Sequence, residues 1–142
     1  MNRLLIVGIT GALAGGLAFA ASAQTHSAKD EISTAHAHAV MAHSATSIAM
    51  AHTHLHHVIN CLVGPNGSGF DAAAGTPCKG QGNGAIPDAA TDHALHAKLE
   101  NALADAQAGL KSKSLAAVQQ DAGKAAARLQ DGSTAKANSS SW

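Results

Sequence analysis

The sequence predicts an all-α protein, and three observations carry that expectation. Between residues 35 and 63 the side chains sort into stripes when read at 100° per residue. Alanine, the best helix former, fills most of the remaining positions there. Farther on, Leu95, Leu99, Leu103, Ala106 and Leu110 form an apolar stripe at helical spacing, and Leu115, Val118, Ala122, Ala125 and Leu129 form another. The expected architecture is one long N-terminal helix, a disulfide-clasped glycine-rich loop and a helical hairpin packed back to make a three-helix bundle.

Taken in order, residues 1–23 read as a secretory signal peptide. Arg3 supplies a basic start, an apolar run extends from Leu4 to about Phe19, and Ala21, Ser22 and Ala23 form a small-residue cleavage site before Gln24. The run is short, broken by glycine and lacks a positive stop-transfer flank, so no stable membrane insertion is expected after cleavage. The remaining chain, residues 24–132, has the length of one helical domain, and residues 133–142 read as a disordered tail. Removal of Arg3 leaves eight Lys and Arg against nine Asp and Glu, so no basic patch is available to neutralise phosphates and no nucleic-acid partner is implied. Phe70 and Trp142 are the aromatic residues of that mature chain, and its core is mostly alanine. Such a core buries little area per residue and needs other support.

The first helix is expected over about 34–63, with Ser33 or Thr34 as N-cap and the turn-forming Gly64, Pro65, Asn66 and Gly67 as its stop. Pro87 and Asp88 suit the start of a second helix, about 87–110, since proline is tolerated in a first turn and acids favour the amino end. Gly109 and the serine-lysine run at 111–114 mark a corner, and a third helix follows over about 114–130.

The loop from Gly64 onward is long for a compact domain. Cys61 and Cys78, 17 positions apart in an exported chain, are read as a disulfide closing it. The alternative is Cys61 as a thiolate ligand. No Cys-x-x-Cys-His motif supports covalent haem.

Seven of the ten histidines lie between residues 35 and 63. His36, His43, Met50, His54, His57 and Cys61 share a narrow sector of the expected helix. Met41, Ile48, Leu55, Ile59 and Leu62 lie nearly opposite, with His38, His52 and His56 at that stripe's border. Side chains three or four apart on a helix sit on adjacent turns and can chelate one ion. Candidate metal ligands are therefore Met50 with His54, His54 with His57, and His52 with His56. His36 and His43 stand about 10.5 Å apart along the axis and need an outside partner. An antiparallel second helix would set His93 beside His57, His96 beside His54 and Glu100 near Met50, giving a site of facing helices. The competing reading is a soluble alanine-histidine surface.

Imidazole suits zinc, copper and nickel, and an adjoining methionine tilts the choice towards copper, then zinc or nickel. No nucleophile, base and orienting group occur together, so no enzyme is expected. The expected function is metal binding, buffering or carriage. The alternatives are a non-covalent haem electron-transfer protein and a stress or interaction module with acid-responsive histidines. A homodimer is a further expectation, because residues 32–47 extend past what a short hairpin covers.

The run His54, Leu55, His56, His57, Val58, Ile59, Asn60, Cys61, Leu62, Val63, Gly64 and Pro65, followed by Cys78 and by Gly84, Ala85, Ile86, Pro87 and Asp88, resembles small exported His-rich helical proteins of Gram-negative bacteria. The resemblance covers about a third of the chain. It implies a periplasmic address and a shared architecture, and it brings no activity and no binding residues.

Overall fold

Alanine faces decide how this chain packs. The computed structural model describes residues 28–134, with side chains described up to Gln130, and is all-helical over that span. Helix α1 (Ala28–His43) buries Ala28, Ile32, Ala35, Ala39 and Ala42, and the last three are fully out of solvent. Such a stripe of methyl groups lets neighbouring helices approach closely, because the interaxial distance follows the size of the side chains at the contact. α2 (Ile48–Val63) packs along it as the second arm of a hairpin, and α5 (Leu115–Thr134) lies on its other side.

The single helix expected over 34–63 is thus two helices. The reason lies in Ser44, Ala45, Thr46 and Ser47. Serine and threonine hydroxyls compete for backbone groups and favour caps over helix interiors. Ser44 Oγ donates to the Val40 carbonyl at 2.9 Å, and Ser47 caps α2 by accepting from Met50 N–H at 3.2 Å. Across the corner the Gln119 side-chain amide donates to the Ala45 carbonyl at 2.9 Å, while His43 Nδ1 donates to the Gln119 carbonyl at 2.8 Å. The Ala45 carbonyl, which a continuous helix would have bonded internally, is therefore satisfied by a tertiary bond.

The second half of the bundle is α4 (His93–Lys111) and α5, a hairpin with a corner at Ser112. The Arg128 guanidinium meets Asp105 at 2.6 Å and Ser112 Oγ donates to Asp121 at 3.3 Å, both across this hairpin. α4 also packs on α2, so α1, α2, α4 and α5 close into a four-helix ring in place of the three-helix bundle expected. Leu55, Val58, Leu62, Leu99, Val118 and Leu129 supply its larger buried side chains. The segment 32–47, expected to lack partners, is covered by α2 and α5 of the same chain. Among the described residues no helix is long and apolar enough to cross a membrane. The expected leader at 1–23 lies outside the described residues, as does the tail from residue 135 onward.

Between the two hairpins, Cys61 at the end of α2 is bonded to Cys78, with Cα atoms 5.3 Å apart. That bond clasps the loop, and the thiolate alternative for Cys61 falls away. A short helix α3 (Ala85–Asp88) follows before α4. Gly64 and Gly84, with φ of 69° and 117°, lie back to back where the loop leaves and returns, and neither has space for a β-carbon.

Candidate metal centre

Because α1 folds back on α2, a histidine from the first helix faces two on the second. His38 Nδ1 lies 3.2 Å from His54 Nδ1 and 3.3 Å from His57 Nδ1. The ring centroids of His38 and His57 are 4.6 Å apart with the planes steeply inclined, and those of His38 and His54 are 5.4 Å apart. All three rings are half-buried, and their ligand atoms lie within 4.8 Å of one another. A His38/His54/His57 group of this kind can bind a metal ion. Around an ion with metal–nitrogen bonds of about 2.0–2.1 Å, ligand atoms at a tetrahedral angle stand roughly 3.3–3.4 Å apart, close to the two spacings seen.

The surroundings settle which nitrogen of His57 is free. His57 Nε2 lies 2.7 Å from the Ala74 carbonyl oxygen, which can only accept, so Nε2 carries the proton. In the neutral ring Nδ1 then keeps its lone pair and turns it towards His38. This is the outer hydrogen bond that commonly fixes the tautomer of a metal-bound histidine. His38 Nδ1 faces two other ring nitrogens and has at most one proton to give, so both contacts cannot be ordinary hydrogen bonds from His38.

Ala74 is held in place from the same helix. Asn60, 3% exposed, donates through Nδ2 to the carbonyls of Asp71 and Gly75, at 2.7 Å each, and accepts from Asp71 N–H at 2.8 Å. Asp71 in turn accepts from the amides of Ala73 and Ala74, starting the 3₁₀ turn at 72–74. The clasped loop is thus pinned to α2 one turn beyond His57.

Burial, with the neighbouring His57 and His54 adding to it, pushes the His38 pKa down from 6.5 to about 4. Burial, then the His57 charge, also lowers that of His54. Two of the three rings are therefore held in the neutral form that a metal takes.

Of the other residues singled out in the sequence, His56 pairs with Asp71, its Nδ1 3.5 Å from Oδ2. His52 Nε2 is buried without a hydrogen-bond partner, on a different face of α2 from His54. Met50 is exposed, one turn before His54. His36 is half-buried on α1, and His43 is occupied by Gln119 at the corner. The expected juxtaposition of α2 with His93, His96 and Glu100 does not occur. A β-carbon at Gly109 would stand 2.6 Å from Leu55, so Leu55 meets the far end of α4, while Glu100 shares a surface cleft with Val63. His93 and His96 therefore lie beyond the end of α2, because α3 and the turn after it delay the start of α4. His38 is the member of the histidine group missed by sequence reasoning, which placed it on the border of the wrong stripe of an unbroken helix. The serine and threonine cluster at 44–47 was the signal that could have found it.

The chain matches no protein-family model, no curated protein and no solved structure.

Proposed function

We propose that this protein binds, buffers or carries a transition-metal ion in the periplasm, and that it performs no catalysis. The ion sits on the Nδ1 atoms of His38, His54 and His57. The observation that carries this reading is the approach of two imidazole nitrogens to His38 Nδ1 at 3.2 and 3.3 Å, with the Ala74 carbonyl holding the His57 proton on the far side of its ring. Crowded lone pairs are costly when nothing positive lies between them, and an ion resolves the cost.

Copper is placed first, ahead of zinc and nickel. Three imidazoles alone suit all of them, but Met50, 48% exposed and four residues before His54, has a thioether free to swing towards the site. Thioether favours Cu(I). The cysteines support an oxidising compartment, since both are spent in one bond.

The test is metal analysis and calorimetric titration of untagged protein purified without a nickel column, together with its optical spectrum. One tightly held ion per chain, lost in the His54→Ala, His57→Ala double variant, is expected. Absence of any ion, with no uptake of Cu(I), Cu(II), Zn(II) or Ni(II) at micromolar concentration, would overturn the reading, and a Soret band would replace it with haem binding.

A further inference from the structure

The two helices that carry the histidine centre leave their methionines outside. Met1 apart, Met41 and Met50 are the methionines of the chain. Methionine is among the residue types most often buried, and its flexible thioether usually fills irregular gaps in a core. Here α1 and α2 meet through alanine and branched side chains, and Met41 and Met50 stand 46% and 48% exposed. Core packing therefore accounts for neither.

Their places in the hairpin are matched. Met41 lies three residues before Ser44 and Met50 three residues after Ser47, the two ends of the corner between α1 and α2. His38 lies six residues before that corner and His54 seven after it, and these two meet across the hairpin at 3.2 Å. The same pairing carried towards the corner sets Met41 across from Met50, about one helical turn (~5.4 Å) from the level of the histidines. Met41 follows His38 by three positions and Met50 precedes His54 by four, so each sits over a histidine on one side of its own helix.

The ligands that these helices offer are soft or borderline, and none is an anion. From Ile32 to Phe70 the chain holds no Asp, Glu, Lys or Arg. An ion that seeks carboxylate oxygen finds none along this stretch, whereas thioether sulfur selects Cu(I). A monovalent ion also loses less hydration than a divalent one on entering a site without compensating charge.

We propose that Met41 and Met50 form an outer, two-sulfur landing site for Cu(I), from which the ion passes to His38, His54 and His57. This rests on the metal-binding reading of the three histidines and names the form in which the ion arrives. The passage exchanges ligands only: the sulfur–copper bonds break, bonds to the Nδ1 atoms form, and the neutral rings shed no net proton. Copper stays Cu(I) throughout, so no oxidant or reductant takes part.

The experiment follows the ¹³C-labelled methionine methyl groups of the full mature chain by NMR during anaerobic titration with Cu(I). In the wild type a second, weaker equivalent should move both the Met41 and the Met50 resonance. In the His38→Ala, His54→Ala, His57→Ala triple variant the first equivalent should do so, and Zn(II) should move neither. Stopped-flow transfer of Cu(I) from its coloured bicinchoninate complex reads the passage itself. Met41→Leu, a swap of similar volume at an exposed position, should slow uptake at least tenfold while affinity for Zn(II) stays within twofold. Val40→Ala, at the exposed position beside it, should leave the rate unchanged. Resonances that Cu(I) fails to move in the triple variant, resonances that Zn(II) moves equally, or a Met41→Leu slowing of less than tenfold would each overturn the proposal. Should the triple variant lose its helices, the Met41→Leu rate alone decides. A wild type that still holds an ion on its histidines in those cases keeps the metal reading intact, and a wild type that takes up no ion overturns both.

Discussion

The His57 ring and the Ala74 carbonyl, 17 residues apart, meet at 2.7 Å, and this contact with the clasped loop fixes the proton of the histidine. Donation from Nε2 leaves Nδ1 as the acceptor side of the ring. The loop therefore sets the chemistry of a helix residue whose own backbone it never interrupts. Gly75 is part of the fit, because a β-carbon there would stand 3.3 Å from His57 Nε2.

A tautomer assignment follows. In metal-free protein at pH 8, ¹⁵N-edited NMR of the imidazole rings should show His57 in the Nε2–H form, with its Nε2 proton slow to exchange. Replacement by an Nδ1–H signal would mean that the lone pair points away from His38 and that the site is not set for an ion.

The second prediction concerns His38. Its ring supplies both of the close nitrogen contacts, and removal leaves two ligands from one helix. His38→Ala should weaken metal binding by more than about a hundredfold, beyond the usual cost of losing an outer hydrogen-bond partner. His93→Ala with His96→Ala should leave affinity within about twofold, since those rings lie past the end of α2. Titration calorimetry of the two variants reads both. Equal losses would place the site on α4.

How much of this could be read from the sequence divides along physical lines. Helical class, the Cys61–Cys78 bond, and His54 with His57 as neighbours on one face depend on local spacing and compartment, and the structure shows each of them. What escaped depends on one corner. Unbroken periodicity across residues 35–63 concealed a turn whose signal is four small residues, three of them hydroxylated. With the turn in place, His38 lies 16 and 19 residues from its partners, distances no helical spacing rule addresses. The register of α2 on α4 escaped for a similar reason: the single turn of α3 consumes the residues that would have begun α4.

Acid should destabilise the metal-free fold through His38. Its pKa is about 4 in the folded protein and near 6.5 when the chain unfolds, so between these values the unfolded state holds more protons. Stability from this residue is complete above about pH 6.5 and is lost as pH falls towards 4. His54, also lowered, contributes in the same direction. Glu31, whose pKa burial raises to about 7, acts in the opposite direction over the same window. The contribution of His38 is therefore read as the difference in melting temperature between metal-free wild type and His38→Gln, which should move against the wild type from pH 8 to 4. A difference that moves in favour of the wild type on acidification would contradict the depressed values.

The disulfide should couple to the metal site, because the loop it clasps carries Ala74. A closed loop of this size contributes on the order of 3 kcal/mol through the lost freedom of the unfolded chain. Reduction should therefore lower the melting temperature and speed amide exchange over residues 64–84 more than in the helices. Asn60 holds the same loop by three hydrogen bonds, and Asn60→Ala removes all three from the half-buried Asp71 and Gly75, at roughly 1 kcal/mol each. Both changes loosen the carbonyl that keeps the His57 proton on Nε2, and neither touches a ligand. Each should weaken metal binding by about tenfold, the lower end of what outer-shell partners are worth. Because an ion that binds only the folded form adds stability by mass action, the metal-induced rise in melting temperature should shrink in step. Unchanged affinity in reduced protein that remains helical by circular dichroism would show that α1 and α2 position the three rings without the loop.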